Sequence, residues 1–196
     1  MMPARMADGR RLTANGAIRW FLPPVFVLAL VASPAPVFAK AQPARKVEDV
    51  VRVLKVHSDP VAADFATVGS DVDVVLGELI GGAKVDTTIR ARAALALGRF
   101  PAERWRSLLS ATVASADAPV EVRAAAMIAY ARIRKEGAFD DLKPWLTNPD
   151  VRLRIGAARA LGEAGGARAR ALLMDTIEAE DSLDVRAAME QALKKL

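Results

Sequence analysis

Residues 150–162 read DVRLRIGAARALG, and this phrase decides the fold. Leu153, Ala157, Ala160 and Leu161 stand at offsets 0, 4, 7 and 8 from an apolar anchor, the stripe of a helix with about 3.6 residues per turn. Half of that stripe is alanine, and side chains this small let a second helix approach closely. The phrase returns three times. DTTIRARAALALG has its anchor at Ile89, followed by Ala93, Ala96 and Leu97; APVEVRAAAMIAYA has Val122, then Ala126, Ala129 and Tyr130; SLDVRAAMEQAL has Val185, then Met189, Ala192 and Leu193. The anchors Ile89, Val122, Leu153 and Val185 are 33, 31 and 32 residues apart. A period of that size predicts helix pairs stacked in an array, each burying its apolar face against the next.

The phrase of anchor, Arg, then AAxALG resembles the HEAT repeat family, in particular the HEAT-like repeats of the phycobilisome lyase subunit type. The resemblance covers residues 71–196. The first and third copies carry the closing glycine, Gly98 and Gly162, where the second has Ala131 and the fourth Lys194. The resemblance implies an all-α fold, an α-solenoid of stacked antiparallel helix pairs whose second helices line a concave surface. A repeat of this kind says much about fold and little about function.

The rest of the chain is organised around the array. Residues 1–39 read as an export signal: Arg5, Arg10, Arg11 and Arg19 precede an apolar run from Trp20 to Ala32, and Val37 and Ala39 are the small residues before a cleavage predicted ahead of Lys40. Leu12 and Thr13 suit the twin-arginine route poorly, which favours the general secretory route and a periplasmic or secreted bacterial protein. Retention of the segment would make it a membrane anchor instead. Residues 40–46 read as a flexible lead-in. Residues 47–70 read as a degenerate opening helix pair, with Val47, Val50, Val51 and Leu54 on the first helix, Ser58, Asp59 and Pro60 starting a second, and Val61, Phe65 and Val68 on its face. Four helix pairs fill 71–196, with Ser70, Asn148 and Pro149 as helix starts and Gly137, Gly162, Gly165 and Gly166 as stops. In the last copy the small or apolar residues at offsets 5 and 9 become Glu190 and Lys194, the expected sign of an array that ends there.

Composition narrows the functions. The chain carries a net charge of +5, but four basic residues and one acid fall in the export segment, leaving 24 basic against 22 acidic residues. Near balance in an exported chain argues against nucleic acid as a partner. There is no Cys and one His, so the usual metal clusters and His-assisted nucleophiles have no residues to build from. No catalytic residue, metal site or cofactor is expected, and His57 reads as a loop residue. Asp140 and Asp141 are adjacent and diverge on a helix, so they make no acid and base pair.

Binding residues are sought among positions off the core stripe. Arg90, Arg123, Arg154 and Arg186 follow the four anchors; they read either as a basic ladder for an acidic partner or as structural partners of Asp86, Asp117, Asp150 and Asp181 at helix starts. Offset 6 holds Leu95, Ile128, Arg159 and Gln191, and offset 10 holds Arg99, Arg132, Glu163 and Lys195. On the concave surface that the resemblance implies, Leu95 and Ile128 form an apolar patch flanked by Arg92, Arg99 and Arg132, with Arg159 beyond. Trp105 lies on a core stripe, whereas Trp145 is open to either a core role or a sugar platform. The expectation is an exported, non-catalytic scaffold or adaptor that holds a protein partner on this face. The alternative, from the same resemblance, is an accessory subunit of an enzyme.

Overall fold

The computed structural model describes residues 44–100 and 103–196. The export segment, residues 40–43 and Pro101 lie outside the described residues. The described chain is helical throughout, with no strand. Helix α1 (Ala44–Val56) begins within the segment read as a lead-in. It buries Val50 and Leu54 and half-buries Val47 and Val51, the stripe that the sequence predicts. No second α-helix completes the opening pair. The chain makes a single 3-10 turn at Ala62–Phe65, where the Val61 N–H donates to Asp64 Oδ2 at 2.8 Å. This bond caps the start of the turn, as in a capping box, and does not extend it. Phe65 is buried, Val61 is exposed, and Gly69 adopts φ +122°, so a longer helix here would gain little burial to offset its nucleation.

The array follows. Helix α2 (Val72–Gly81) pairs with α3 (Thr87–Leu97), and α4 (Arg106–Ala114), entered through a 3-10 turn at Glu103–Trp105, pairs with α5 (Val120–Arg134). The short α6 (Phe139–Leu142) runs into a 3-10 turn at Lys143–Thr147, with Pro144 in its first turn, and both pack on α7 (Val151–Ala164). Helix α8 (Ala167–Ile177) pairs with α9 (Leu183–Leu193). The second helices α3, α5, α7 and α9 stack side by side, each on the next. The fold is an all-α solenoid of HEAT-like helix pairs.

The repeated phrase explains the packing. All four anchors and the residues at offsets 4 and 7 are buried, and at offset 5 Ala94, Met127 and Ala158 are 0% exposed. Glu190 and Lys194, their polar counterparts in the last copy, are exposed. Both closing glycines are contact sites, and only Gly98 also stands at the end of its helix. A Cβ on Gly98 would lie 2.6 Å from Ala129 Cα, and one on Gly162 would lie 2.9 Å from Ala192 Cα. Ala129 and Ala192 are the offset-7 residues of the following copies, so the backbone of one second helix rests on the next. Gly162 sits inside α7, which ends at Gly165. Gly137, expected to stop α5, lies in a 3-10 turn at Lys135–Ala138 after the helix has ended at Arg134.

Helix starts are also read differently by the structure. Asp71 and not Ser70 stands at the N-cap of α2, with Ser70 donating to it at 2.8 Å. Asp150 and not Asn148 caps α7, accepting the Arg152 N–H at 2.9 Å. Trp105 is in the core at 1% exposure, its Nε1 donating to the buried Asp73 carboxylate at 3.0 Å. A Cβ on Gly77 would meet its ring at 2.9 Å, so that glycine makes the room for it.

Candidate functional site

On each second helix, offsets 2, 6 and 10 lie one turn apart and off the core stripe. In α3, α5 and α7 these are Ala91, Leu95 and Arg99; Ala124, Ile128 and Arg132; Ile155, Arg159 and Glu163. Side by side all but Arg99, which follows the end of α3, line two adjoining hollows of about 300 and 350 Å3. The hollows share Leu95, Ile128 and Arg159. The second has an apolar floor in which Ile155 continues the row of Leu95 and Ile128. Leu95, Ile128 and Ile155 are each half-buried and open to the hollows, the first of which is also walled by Ser58 and Asp59 of the opening segment. Together they form a groove across the faces of α3, α5 and α7.

The arginines expected to flank the patch are engaged within the chain. Arg92 donates to the carbonyls of Leu54 and Lys55 at 2.7 and 3.1 Å, tying off the C-terminal turn of α1. Arg99 holds Asp59 at 2.8 Å. Arg132, with a side chain 8% exposed, donates to both Asp59 oxygens at 3.2 and 3.1 Å and to the Leu95 carbonyl at 3.1 Å, and its Nε lies 3.5 Å from Glu163. Glu163 in turn accepts from Lys195 at 2.7 Å. A continuous ladder therefore runs from Arg99 through Asp59, Arg132 and Glu163 to Lys195 along one edge of the groove. Burial pushes the Asp59 carboxyl up, but Arg132 and Arg99 outweigh it and hold its pKa below the usual value. Glu163 behaves alike: burial raises it, and Lys195 and Arg132 bring it down. Of the residues predicted for this face, Arg159 alone is left exposed with no hydrogen bond or ion pair to any described residue.

Asp59 and Ile155 are the members that sequence reasoning missed. Asp59 reads in the sequence as part of a helix start, and nothing there shows that it bridges residues 40 and 73 positions away. Ile155 could have been found, because offset 2 is one turn before offset 6.

Three of the four anchor arginines are structural, but with partners other than those expected. Arg90 Nε donates to the Ile80 carbonyl at 2.9 Å and Arg123 Nε to the Val113 carbonyl at 3.0 Å, each ten residues back in the last turn of the preceding helix. Arg154 binds the Asn148 carbonyl at 2.8 Å and Glu180 in a two-pronged pair at 2.8 and 2.9 Å. A basic ladder for an acidic partner is therefore not formed by Arg90, Arg123 and Arg154. Arg186 is exposed. Trp145 is half-buried with the Arg123 guanidinium 5.0 Å from its ring centroid, so that one face of the ring is taken by a cation of the chain itself.

The remaining polar residues take separate partners. Asp141 accepts from Tyr130 at 2.6 Å and Asp140 from Arg168 at 2.6 Å, so the adjacent carboxylates diverge. His57 is exposed, its Nδ1 3.9 Å from Asp64. Among the described residues no group of three or more His, Cys, Asp or Glu is placed to hold a metal, and no helix is long and apolar enough to cross a membrane.

The family model described as HEAT repeats matches residues 107–194. No curated protein matches the chain. The matched segment, together with the side-by-side stacking of α3, α5, α7 and α9, supports a HEAT-repeat protein, and HEAT repeats commonly mediate protein–protein interaction.

Proposed function

We propose that the chain is a non-catalytic scaffold or adaptor that binds a protein partner in the groove formed by α3, α5 and α7, the concave face of the array. The observation that carries this reading is the row of half-buried apolar side chains, Leu95, Ile128 and Ile155, open along a wall whose backbones are held together by close alanine and glycine contacts. A rigid wall with accessible apolar seats binds by shape and desolvation, and loses little conformational freedom in doing so. No bond chemistry is assigned to it.

The test is comparative capture from the cell envelope. Tagged wild-type chain and the Leu95→Asp, Ile128→Asp double variant are crosslinked in parallel, and folding is checked by circular dichroism. Proteins captured by the wild type and lost by the folded double variant support the groove. Equal capture by both would move the binding surface elsewhere and leave the accessory-subunit role to be tried next. Export belongs to the same proposal: a mass corresponding to a chain that starts at Lys40 is expected in the envelope, and an intact chain there would make it a tethered scaffold.

A further inference from the structure

We infer that the groove selects an acidic partner: its occupant is an apolar protein segment that places a carboxylate on Arg159 while two apolar side chains sit on Leu95 and Ile128. This rests on the protein-binding reading and adds the chemistry of the partner. In the first hollow Arg159 joins Arg132 and Lys195 against the carboxylates Asp59 and Glu163; in the second it joins Arg152 against Glu121. Each hollow thus has one cation in excess. The other cations are already engaged, Arg132 with Asp59 and Glu163, Lys195 with Glu163, and Arg152 with Glu121 at 2.7 Å and Asp150 at 2.9 Å. Arg159, exposed and without an ion-pair partner among the described residues, carries the uncompensated charge of both.

Its place in the row sets the pattern of the ligand. Leu95, Ile128, Arg159 and Gln191 hold the same offset on successive second helices, and packed helices lie about 8–10 Å apart. The groove therefore presents two apolar seats, then a cation, then an amide. A matching segment carries its carboxylate beyond the side chain that meets Ile128. Covering the Arg159 guanidinium with such a segment removes it from water, and a carboxylate returns two charge-assisted hydrogen bonds in the geometry of the guanidinium fork. An apolar or cationic group in that place leaves a desolvated charge unpaired, so discrimination between partners is the expected effect of this residue.

A displayed library of random peptides, selected on the full chain bearing a C-terminal tag, tests this. Enriched sequences should combine apolar residues with Asp or Glu, and Arg159→Glu should enrich Lys or Arg there instead. For one synthesised acidic peptide, converting its carboxylate to the amide should weaken binding about tenfold on the wild type. On Arg159→Gln, which removes no hydrogen bond or ion pair within the described chain, the same conversion should have no effect. Absence of any enriched peptide, absence of acid enrichment, or equal acid dependence in Arg159→Gln would overturn the inference. The Leu95→Asp, Ile128→Asp variant separates the two layers of the argument. Binding that is lost in it but indifferent to the peptide's charge leaves the groove standing and refutes the acid, whereas binding unchanged in it refutes both.

Discussion

Gly98 shows how much a single hydrogen atom in place of a side chain can decide. Its missing Cβ is the space that the Ala129 backbone occupies, with the nearest atom at 2.6 Å. Gly98 stands at the C-cap of α3, where alanine would gain no interior helix propensity. Gly98→Ala is therefore expected to destabilise by about 1 to 3 kcal/mol through overpacking. Gly162 faces Ala192 at similar distances but sits inside α7, so Gly162→Ala recovers roughly 1 kcal/mol of propensity against the same clash. Urea midpoints should rank the wild type above Gly162→Ala and Gly162→Ala above Gly98→Ala; the reverse order of the two variants would mean that helix contact is not what these glycines serve. Their spacing was visible in the sequence, but their purpose was not. A glycine near a helix end looks the same whether it stops the helix or admits a neighbour, and only the register between repeats distinguishes the two.

At the scale of elements, helices were legible wherever one apolar stripe ran for three turns, and they failed where burial stopped. The opening pair has its first helix because Val50 and Leu54 are both covered, and lacks its second because, of the face residues Val61, Phe65 and Val68, only Phe65 is buried. The tie that holds this turn to the array is Asp59, on Arg99 of the α3 end and Arg132 of α5. Such a tie escapes sequence reading because an ion pair has no periodicity and joins residues far apart in the chain. Its pH dependence follows from sign. Asp59 and Glu163 have folded pKa values below their ordinary 3.8 and 4.5, so the stability they add is complete above those values and is lost as pH falls through the depressed ones. Urea midpoints should hold steady from neutral pH to about pH 5 and fall below about pH 4. In Asp59→Asn the unfolding free energy at pH 7 should drop by no more than about 1 kcal/mol, because the carboxylate is partly exposed to solvent. The acid fall should also be shallower. An acid limb identical to the wild type would show that Asp59 does not couple the turn to the array.

The second helices pack in series, α3 on α5, α5 on α7 and α7 on α9, so damage at one junction should remain local. Helix α9 packs on α7 and α8, and the α7 to α9 junction closes on Gly162 against Ala192. A leucine at Gly162 cannot be absorbed by a flexible side chain, because the atoms it meets are the Cα, Cβ and carbonyl oxygen of Ala192. It should push α9 away at a cost of about 1 to 3 kcal/mol, which corresponds to roughly 5- to 150-fold faster amide exchange in the segment that detaches. In Gly162→Leu that acceleration is expected in α8 and α9, while α3 and α5, two junctions and one junction away, keep their protection. Hydrogen exchange read by mass spectrometry on peptides from each helix separates this from the other possibility, uniform acceleration from α3 to α9. Uniform loss would mean that the array unfolds as one cooperative body. The groove across α3, α5 and α7 would then depend on every junction. Local loss would leave its Leu95 and Ile128 seats intact and confine the disturbance to the Lys195 end of the charge ladder.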